Sequence, residues 1–591
     1  MYVDDIPMAF RAQIEPRCQI HRINPDLKGD QARRNDAYIW VREWLNAASK
    51  KTPKFSPRVN QKRYDITWRF VTNGGQDEGV IRPVMGAQGV PFYPGSSMKG
   101  AFCCAWKKCF PEDMTGLTRY CGGTLNVNGI EETKPGILRF HGAFPVNQNW
   151  RNENIVDLVH PQEDWQVKDS GNHSAFFMIS LLKPTLNFGI SCTETLSESE
   201  WNTIWEVWET ALGYGIGSRV SAGYGHIDRH DAAKILSVSL KGDGLISKRI
   251  DGSSEFRPNM FKAALRGHTM RLLGGVTEAA TAERLTKKLW GGFNGNNGSI
   301  VGELGIAFSS GQLYEGGGWV PPFRLTQGKL DILALKTLGN QRRQDLSKFT
   351  EELLKFSMLL GGFGKSWRRA SHAKFYSDDG YVNRKNHIGV HWRFCPESES
   401  FYIPFKSVDS IRTYFQNLRQ TVRDWVQNIE GERLNQNHAP WREAWAWDRD
   451  RVQVWARFCE ATEPTGIEAD QNAAQSNAAA LATGNSSSSA PMPPDDELKA
   501  TSLALDWLHD DRNHAYSLKQ THLSGQMGRI GRIWHRMYPR FTKDQNGGLS
   551  RQGFIEFLTI FPEPQPQGEA RIKQNNFLQF LNQQSDFKRV L

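Results

Sequence analysis

Phe92-Tyr93-Pro94-Gly95-Ser96-Ser97-Met98-Lys99-Gly100 is the stretch on which the reading of this chain turns. Pro94 and Gly95 close a strand-like region, and the apolar run Ala101 to Phe110 that follows is compatible with a helix. Ser96 or Ser97 is placed to cap that helix, and Lys99 falls in its first turn. The unbonded N–H groups and the dipole of a helix start favour an anion, and Lys99 adds a formal charge.

Upstream, Tyr64 to Val71 alternates with Ile66, Trp68 and Phe70 on one face, the pattern of a half-buried strand. Residues 1–60 are basic and without clear periodicity, and read as an arm. Downstream, Gly136 to Phe140 and Ala175 to Leu182 read as strands. Ser199 to Leu212 reads as an amphipathic helix, with Trp201, Trp205 and Trp208 at i, i+4 and i+7 forming a core stripe. Behind it comes Leu212-Gly213-Tyr214-Gly215-Ile216-Gly217-Ser218-Arg219-Val220-Ser221-Ala222-Gly223-Tyr224-Gly225. Its glycines permit positive φ and close approach of backbone to a ligand. Successive N–H groups in such a loop make an anion nest, to which Arg219 adds charge; Tyr224 fits packing beneath the loop better than stacking on a base. Gly213, Gly215 and Gly217 follow a helix instead of opening one after a strand, which argues against a dinucleotide fold.

Strand, helix and glycine loop then recur. Ile235 to Leu240 reads as a strand, Ala263 to Leu273 and Ser347 to Leu360 as helices. A second loop, Leu360-Gly361-Gly362-Phe363-Gly364-Lys365-Ser366-Trp367-Arg368-Arg369-Ala370, carries three cations suited to phosphate contact, with His372 just beyond it. This is a repeat of a whole domain. Residues 461–497 shift to Ala, Asn, Ser, Gln and Pro, a composition that cannot bury a core and reads as a disordered linker. Residues 498–591 read as a small, basic, mostly helical region. Within it, Gly528 to Tyr538 interleaves basic and aromatic residues, a pattern suited to RNA or to a neighbouring subunit.

The 591 residues carry a net charge of +10, which favours polyanions. No apolar run approaches the roughly 18 residues that span a bilayer, and the first residues lack signal-peptide order, so a cytoplasmic protein without membrane contact is expected. The eight cysteines show no disulfide spacing. Cys103, Cys104, Cys109 and Cys121 cluster, but without a CxxC hairpin they read as reduced thiols, and neither metal nor cofactor is expected. Thr542 to Ser550 echoes a calcium loop, yet Thr542 and Gly553 stand where its carboxylates belong.

The nine residues quoted first resemble the G-x-S-x-K-G helix start of the RAMP superfamily of CRISPR proteins. Gly136 to Pro145, Val156 to Pro161 and Gly215 to Gly225 fall where that family's further motifs lie. Residues 61–232 look most like the sixth subunit of the type III-B (Cmr) complex. Residues 233–460 look like its first subunit, through Phe256-Arg257-Pro258-Asn259-Met260-Phe261-Lys262-Ala263-Ala264-Leu265-Arg266, Leu289 to Gly292, Gly298 to Val301 and the second glycine loop. Asn259, Ala263 and Ala370 depart from that subunit's pattern.

The resemblance implies an α+β fold of tandem ferredoxin-like (RRM-like) modules. It implies a non-catalytic, RNA-binding subunit of a type III ribonucleoprotein, holding the 3′ end of the guide RNA and positioning target RNA. Partners would be guide RNA, target RNA, other RAMP subunits and a large polymerase-like subunit. The RNA-binding residues would be Ser96, Ser97, Lys99, Gly217, Ser218, Arg219 and Tyr224 in the first module. In the second they would be Arg257, Lys262, Arg266, Gly364, Lys365, Arg368, Arg369 and His372. The alternative is an endoribonuclease of the same superfamily, either guide-processing with His372 or His226 as acid/base, or target-cleaving with Asp77 or Asp243.

Overall fold

A computed structural model describes residues 26–461 with breaks, the longest at 160–166, 169–175 and 377–388. It also describes 500–509, 523–524, 531–562 (without 544–548) and 568–591 (without 585). The linker and residues 1–25 of the arm lie outside these.

Part of the arm is ordered into the first core, which corrects its reading as irregular. Helix α1, Asp36–Ala47, buries Ala37, Trp40, Val41 and Trp44. These stand at i, i+3, i+4 and i+7, a helical stripe hidden in an otherwise polar segment. The first module continues with β1 (Asn60–Asp65), α2 (Gly95–Cys109), β2 (Leu138–Pro145), β3 (Thr185–Cys192) and α3 (Glu198–Gly213). Helix α3 opens with a capping box between Ser197 and Glu200, and its stripe buries Trp205 and Trp208. The sheet order is β1-β3-β2, all antiparallel.

The second module runs β4 (Lys234–Leu245), α4 (Asn259–Gly274), β5 (Leu304–Glu315), β6 (Pro322–Ala334), α5 (Asn340–Phe356) and β7 (Val390–Phe394). Its antiparallel sheet is ordered β5-β6-β4-β7. That is second, third, first, fourth within a β-α-β-β-α-β chain, the ferredoxin-like arrangement. The first module repeats the same sequence of elements up to its second helix. Where the second module places a fourth strand, the first places its glycine loop. Thr67 N–H donates to the His226 carbonyl at 2.9 Å and Gly225 N–H to that of Arg69 at 2.7 Å. The loop thereby stands in for the missing strand beside the continuation of β1.

A third sheet closes the molecule. Strands β8 (Gln453–Glu460), β9 (Ile533–Lys543), β10 (Leu549–Ile560) and β11 (Lys588–Arg589) join Arg368–Arg369 in the order 368/369-β9-β10-β8-β11. The region expected to be mostly helical does carry α-helices Leu503–His509 and Gly568–Gln579, but its centre is this long hairpin. Trp534, Tyr538, Ile555, Phe557 and Phe561 enter the same core as the second module. Of the basic, aromatic stretch Gly528 to Tyr538, residues 528–530 lie outside the described residues, and Ile533 to Tyr538 are buried against their own chain. Arg536 is 1% exposed, and it donates to the Met358 carbonyl at 3.0 Å and toward His391 Nδ1 at 3.0 Å. Among the described residues no helix is long and apolar enough to cross a membrane.

Candidate nucleic-acid interface

The start of α2 is built by two glycines. A Cβ on Gly95 would lie 2.0 Å from the Phe140 carbonyl oxygen. One on Gly142, whose φ is +75°, would lie 2.0 Å from that of Tyr93. Only without side chains can the helix start sit flush on β2, where Tyr93 and Ala143 exchange hydrogen bonds of 2.9 Å. Met98 and Phe102 anchor the buried face. Pro94 is the N-cap and no side chain caps the helix, which corrects the expected capping by Ser96 or Ser97. Both serines instead lie in the first turn, exposed beside the exposed Lys99. The N–H groups of Gly95, Ser96 and Ser97 have no acceptor within the helix, so donors, hydroxyls and an ammonium share one solvent-facing turn.

The first glycine loop is wedged between the modules instead of standing open. Gly215, Gly217, Gly223 and Gly225 take positive φ, as does Arg219 at +61°, a conformation that costs a non-glycine residue about 1 kcal/mol. Ser218 N–H donates to the Val71 carbonyl at 2.8 Å and Ile306 N–H on β5 to that of Ser221 at 3.2 Å. Gly217 is exposed and Ser218 and Arg219 half-buried, so one edge of the loop faces solvent.

Behind that edge lies a buried ionic junction. Tyr224 is fully buried against Trp68 and donates to Asp157 Oδ2 at 2.8 Å. Arg257 pairs with Asp157 at 2.5 Å and donates to the Tyr224 hydroxyl at 3.3 Å. Tyr224 packs beneath the loop, as the sequence itself favours, and these contacts correct the family-implied assignment of Tyr224 and Arg257 as RNA ligands: both are consumed in joining the modules. Glu255 accepts from Arg69 Nε at 2.7 Å, Trp68 Nε1 at 2.9 Å and Arg249 Nη1 at 2.7 Å. Burial alone would raise the Glu255 carboxyl, but the Arg69 hydrogen bond and the charges of Arg69, Arg249 and Arg257 hold it at about 2. Sequence reading passed over Arg69, Asp157, Arg249 and Glu255. The signal was there in Arg69, a cation set in the apolar run Trp68 to Val71, which demands a buried partner.

On α4, Lys262 and Arg266 are 4% and 5% exposed, and Lys262 faces the glycine loop. Lys262 Nζ donates to the Ser221 hydroxyl at 2.7 Å. Burial, then the charges of Arg219 and Arg266, push its ammonium down to about 7.

In the second loop, Gly364 is half-buried with φ +109°. Lys365 lies outside the described residues. The backbone of Arg368 and Arg369 pairs in parallel with His535 and Arg536, tying this loop to the C-terminal hairpin. The side chains of these two arginines, of His372 and of Asp77 are outside the described set. The residues proposed for catalysis that can be placed are occupied. His226 is fully buried with Nε2 at 2.8 Å from the Val220 carbonyl. Asp243 is 7% exposed and pairs with Lys374 at 2.5 Å. Burial opposes its charge, but Lys374 and Arg393 prevail and hold the carboxyl below its ordinary range, unsuited to act as a general acid. No group of three or more His, Cys, Asp or Glu among the described residues could hold a metal ion.

No family model and no curated relative matches the sequence. Among solved structures the chain is similar to a type III-B Cmr-β complex bound to cognate target RNA, at 18% identity and a TM-score of 0.23. That likeness covers 28% of this chain and 57% of the other, a little over half its length. Cmr6 from Pyrococcus furiosus is similar at 12% identity and a TM-score of 0.19, over 29% of this chain and 98% of that one.

Proposed function

We propose that this protein is a non-catalytic RNA-binding subunit of a type III CRISPR ribonucleoprotein, holding the 3′ end of the guide RNA and positioning target RNA. Its partners are then guide and target RNA, further RAMP subunits and a large polymerase-like subunit. The observation that carries the reading is the first turn of α2, where Ser96, Ser97 and Lys99 stand exposed at a helix start in a chain of net charge +10. Those groups suit the phosphates of a single strand, while base pairing between guide and target reads the sequence. The buried pairings of His226 and Asp243 weigh against the endoribonuclease alternative.

The test is titration of the purified chain with single-stranded RNA at several salt concentrations. Lys99→Ala is expected to weaken binding about tenfold, the loss of one charge-assisted hydrogen bond. It should also flatten the slope of log affinity against log salt by about 0.7. An unchanged slope and affinity would remove α2 from the interface.

A further inference from the structure

One face of the first module's sheet carries a group of aromatic rings that stands outside the core. On the opposite face Leu186, Phe188 and Ile190 of β3 are buried beneath the helices, and Phe188 meets Trp208 of α3 with ring centroids 5.1 Å apart. Strand alternation turns Gln61 and Arg63 of β1, Asn187 and Gly189 of β3, and Phe144 of β2 the other way. His141 joins them at the irregularity in the β2–β3 pairing, with Nε2 at 2.8 Å from the Ser191 hydroxyl. Gly189 has no side chain, and Phe55 lies over it: a Cβ there would stand 3.0 Å from the Phe55 ring. His141 and Phe144 flank that ring at centroid distances of 6.0 and 5.9 Å, with planes tilted by 55° and 53°, so neither covers its face. Phe92 extends the group at 4.8 Å from Phe144. All four rings are half-buried, and none belongs to the module's core.

Polar groups and cations share this face. Asn187 Nδ2 donates to Gln61 Oε1 at 2.8 Å, which holds two amides side by side. Lys54 and Arg58 flank Phe55 in the chain and, like Arg63, are exposed. The one acid that these three strands turn to the face, Asp65, accepts from the Thr185 hydroxyl. Arg63, Asn187 and Phe144 stand in register across the three strands, so a cation and an amide lie in line with a ring. The centre of a protein–protein interface is depleted of charge, whereas rings beside cations suit a nucleic acid strand. Every base has a face that stacks on an aromatic ring, amides meet base edges, and cations meet phosphates. The face also adjoins the first turn of α2. Phe92 stands three residues before Gly95, at most about 11 Å along the chain, and its neighbour Tyr93 pairs with Ala143 on the edge strand β2.

We propose that Phe55, with His141 and Phe144, forms a stacking platform for bases of single-stranded RNA, with Arg63 on its phosphates and Gln61 and Asn187 toward its base edges. The platform rests on the RNA-binding reading above and adds base contacts to a strand otherwise held by its phosphates. Bases stacked here are unpaired, so the RNA on this face lies outside the guide–target duplex.

The test uses the full chain and two oligomers of equal length: oligouridine, and the same ribose-phosphate chain without bases. Phe55→Leu keeps an apolar cover over Gly189 and removes the ring. It is expected to weaken binding of oligouridine about tenfold and to leave the abasic oligomer unaffected. Arg63→Gln, at an exposed strand position, is expected to weaken both oligomers alike and to flatten the salt slope by about 0.7. A ring that only covers the sheet would lower the melting temperature of Phe55→Leu while both oligomers bind as they do to wild type, and that result overturns the platform. Should Phe55→Leu fail to fold, Phe144→Leu takes its place with the same expected contrast between the oligomers, and the absence of that contrast overturns the platform. If wild type binds RNA and Lys99→Ala weakens it while the platform variants bind as wild type does, the platform fails and the broader reading stands. If wild type binds no RNA, the broader reading fails and the platform with it. If the platform variants bind both oligomers normally but are lost from the purified ribonucleoprotein, the face docks a protein and its assignment to RNA is overturned.

Discussion

Glu255→Gln is the perturbation that most sharply tests how the two modules are joined. The substitution preserves shape and removes one charge. It leaves Arg69, fully buried, and Arg249, 9% exposed, without the carboxylate that each now contacts. Removing one partner from a buried pair costs about 3–5 kcal/mol, because the remaining charge is stranded. The acid side gives a similar figure. A carboxyl held at about 2 instead of an ordinary 4.5 corresponds to about 3 kcal/mol of preference for the ionised form. In a unit of module size that is about 10 °C of melting temperature. The sign with pH follows from the depressed value. The stabilisation is fully present above about pH 4.5 and is lost as pH falls toward 2. Thermal denaturation followed by tryptophan fluorescence should therefore show a large gap between wild type and variant at pH 7 that narrows toward pH 3. A variant melting within a degree or two of wild type at pH 7 would refute the view that this junction is held by charge.

Other outcomes follow from particular contacts. Gly142→Ala places a Cβ 2.0 Å from the Tyr93 oxygen at a φ of +75°, and urea denaturation should show a loss on the order of 3 kcal/mol. Lys262 sits at about 7, so its ammonium form disappears as pH rises through that value. The protein should become more stable as pH rises from 7 toward the ordinary lysine range, because across that range the unfolded chain alone holds this proton and gives it up, and thermal melts of Lys262→Met should lack this dependence. Deleting residues 498–591 strips β8 of both its neighbours, β10 and β11, and should give aggregation on size-exclusion chromatography instead of a monodisperse shorter protein.

What was legible in the sequence is what local periodicity can carry. Trp205 and Trp208 are buried as their spacing requires; Ile66 and Phe70 enter the first core, but the expected strand breaks at residues 66–68 and Trp68 packs in a separate cluster with Val71 and Tyr224. The helix starts at Gly95 and Asn259 fall close to their punctuation, and the repeat of strand, helix and glycine loop became two sheets of matching order. Three features left no local trace. The hairpin β9–β10 pairs with β8 across the linker, and pairing at that separation writes nothing periodic into either segment. The burial of Arg257 arises because one module lies against the other. A basic residue near a glycine loop looks the same in sequence whether it faces RNA or a neighbouring module. Helix α1 was obscured by charged residues flanking a four-residue apolar stripe.

Photo-crosslinking of RNA to the chain within its purified ribonucleoprotein, with the attached peptides mapped by mass spectrometry, bears most directly on the central claim. Nucleotides should be found on the peptide carrying Ser96 to Lys99 and on the one carrying Gly217 to Ser221. A ribonucleoprotein whose RNA attaches to this chain only elsewhere, leaving both peptides unmodified, would contradict it.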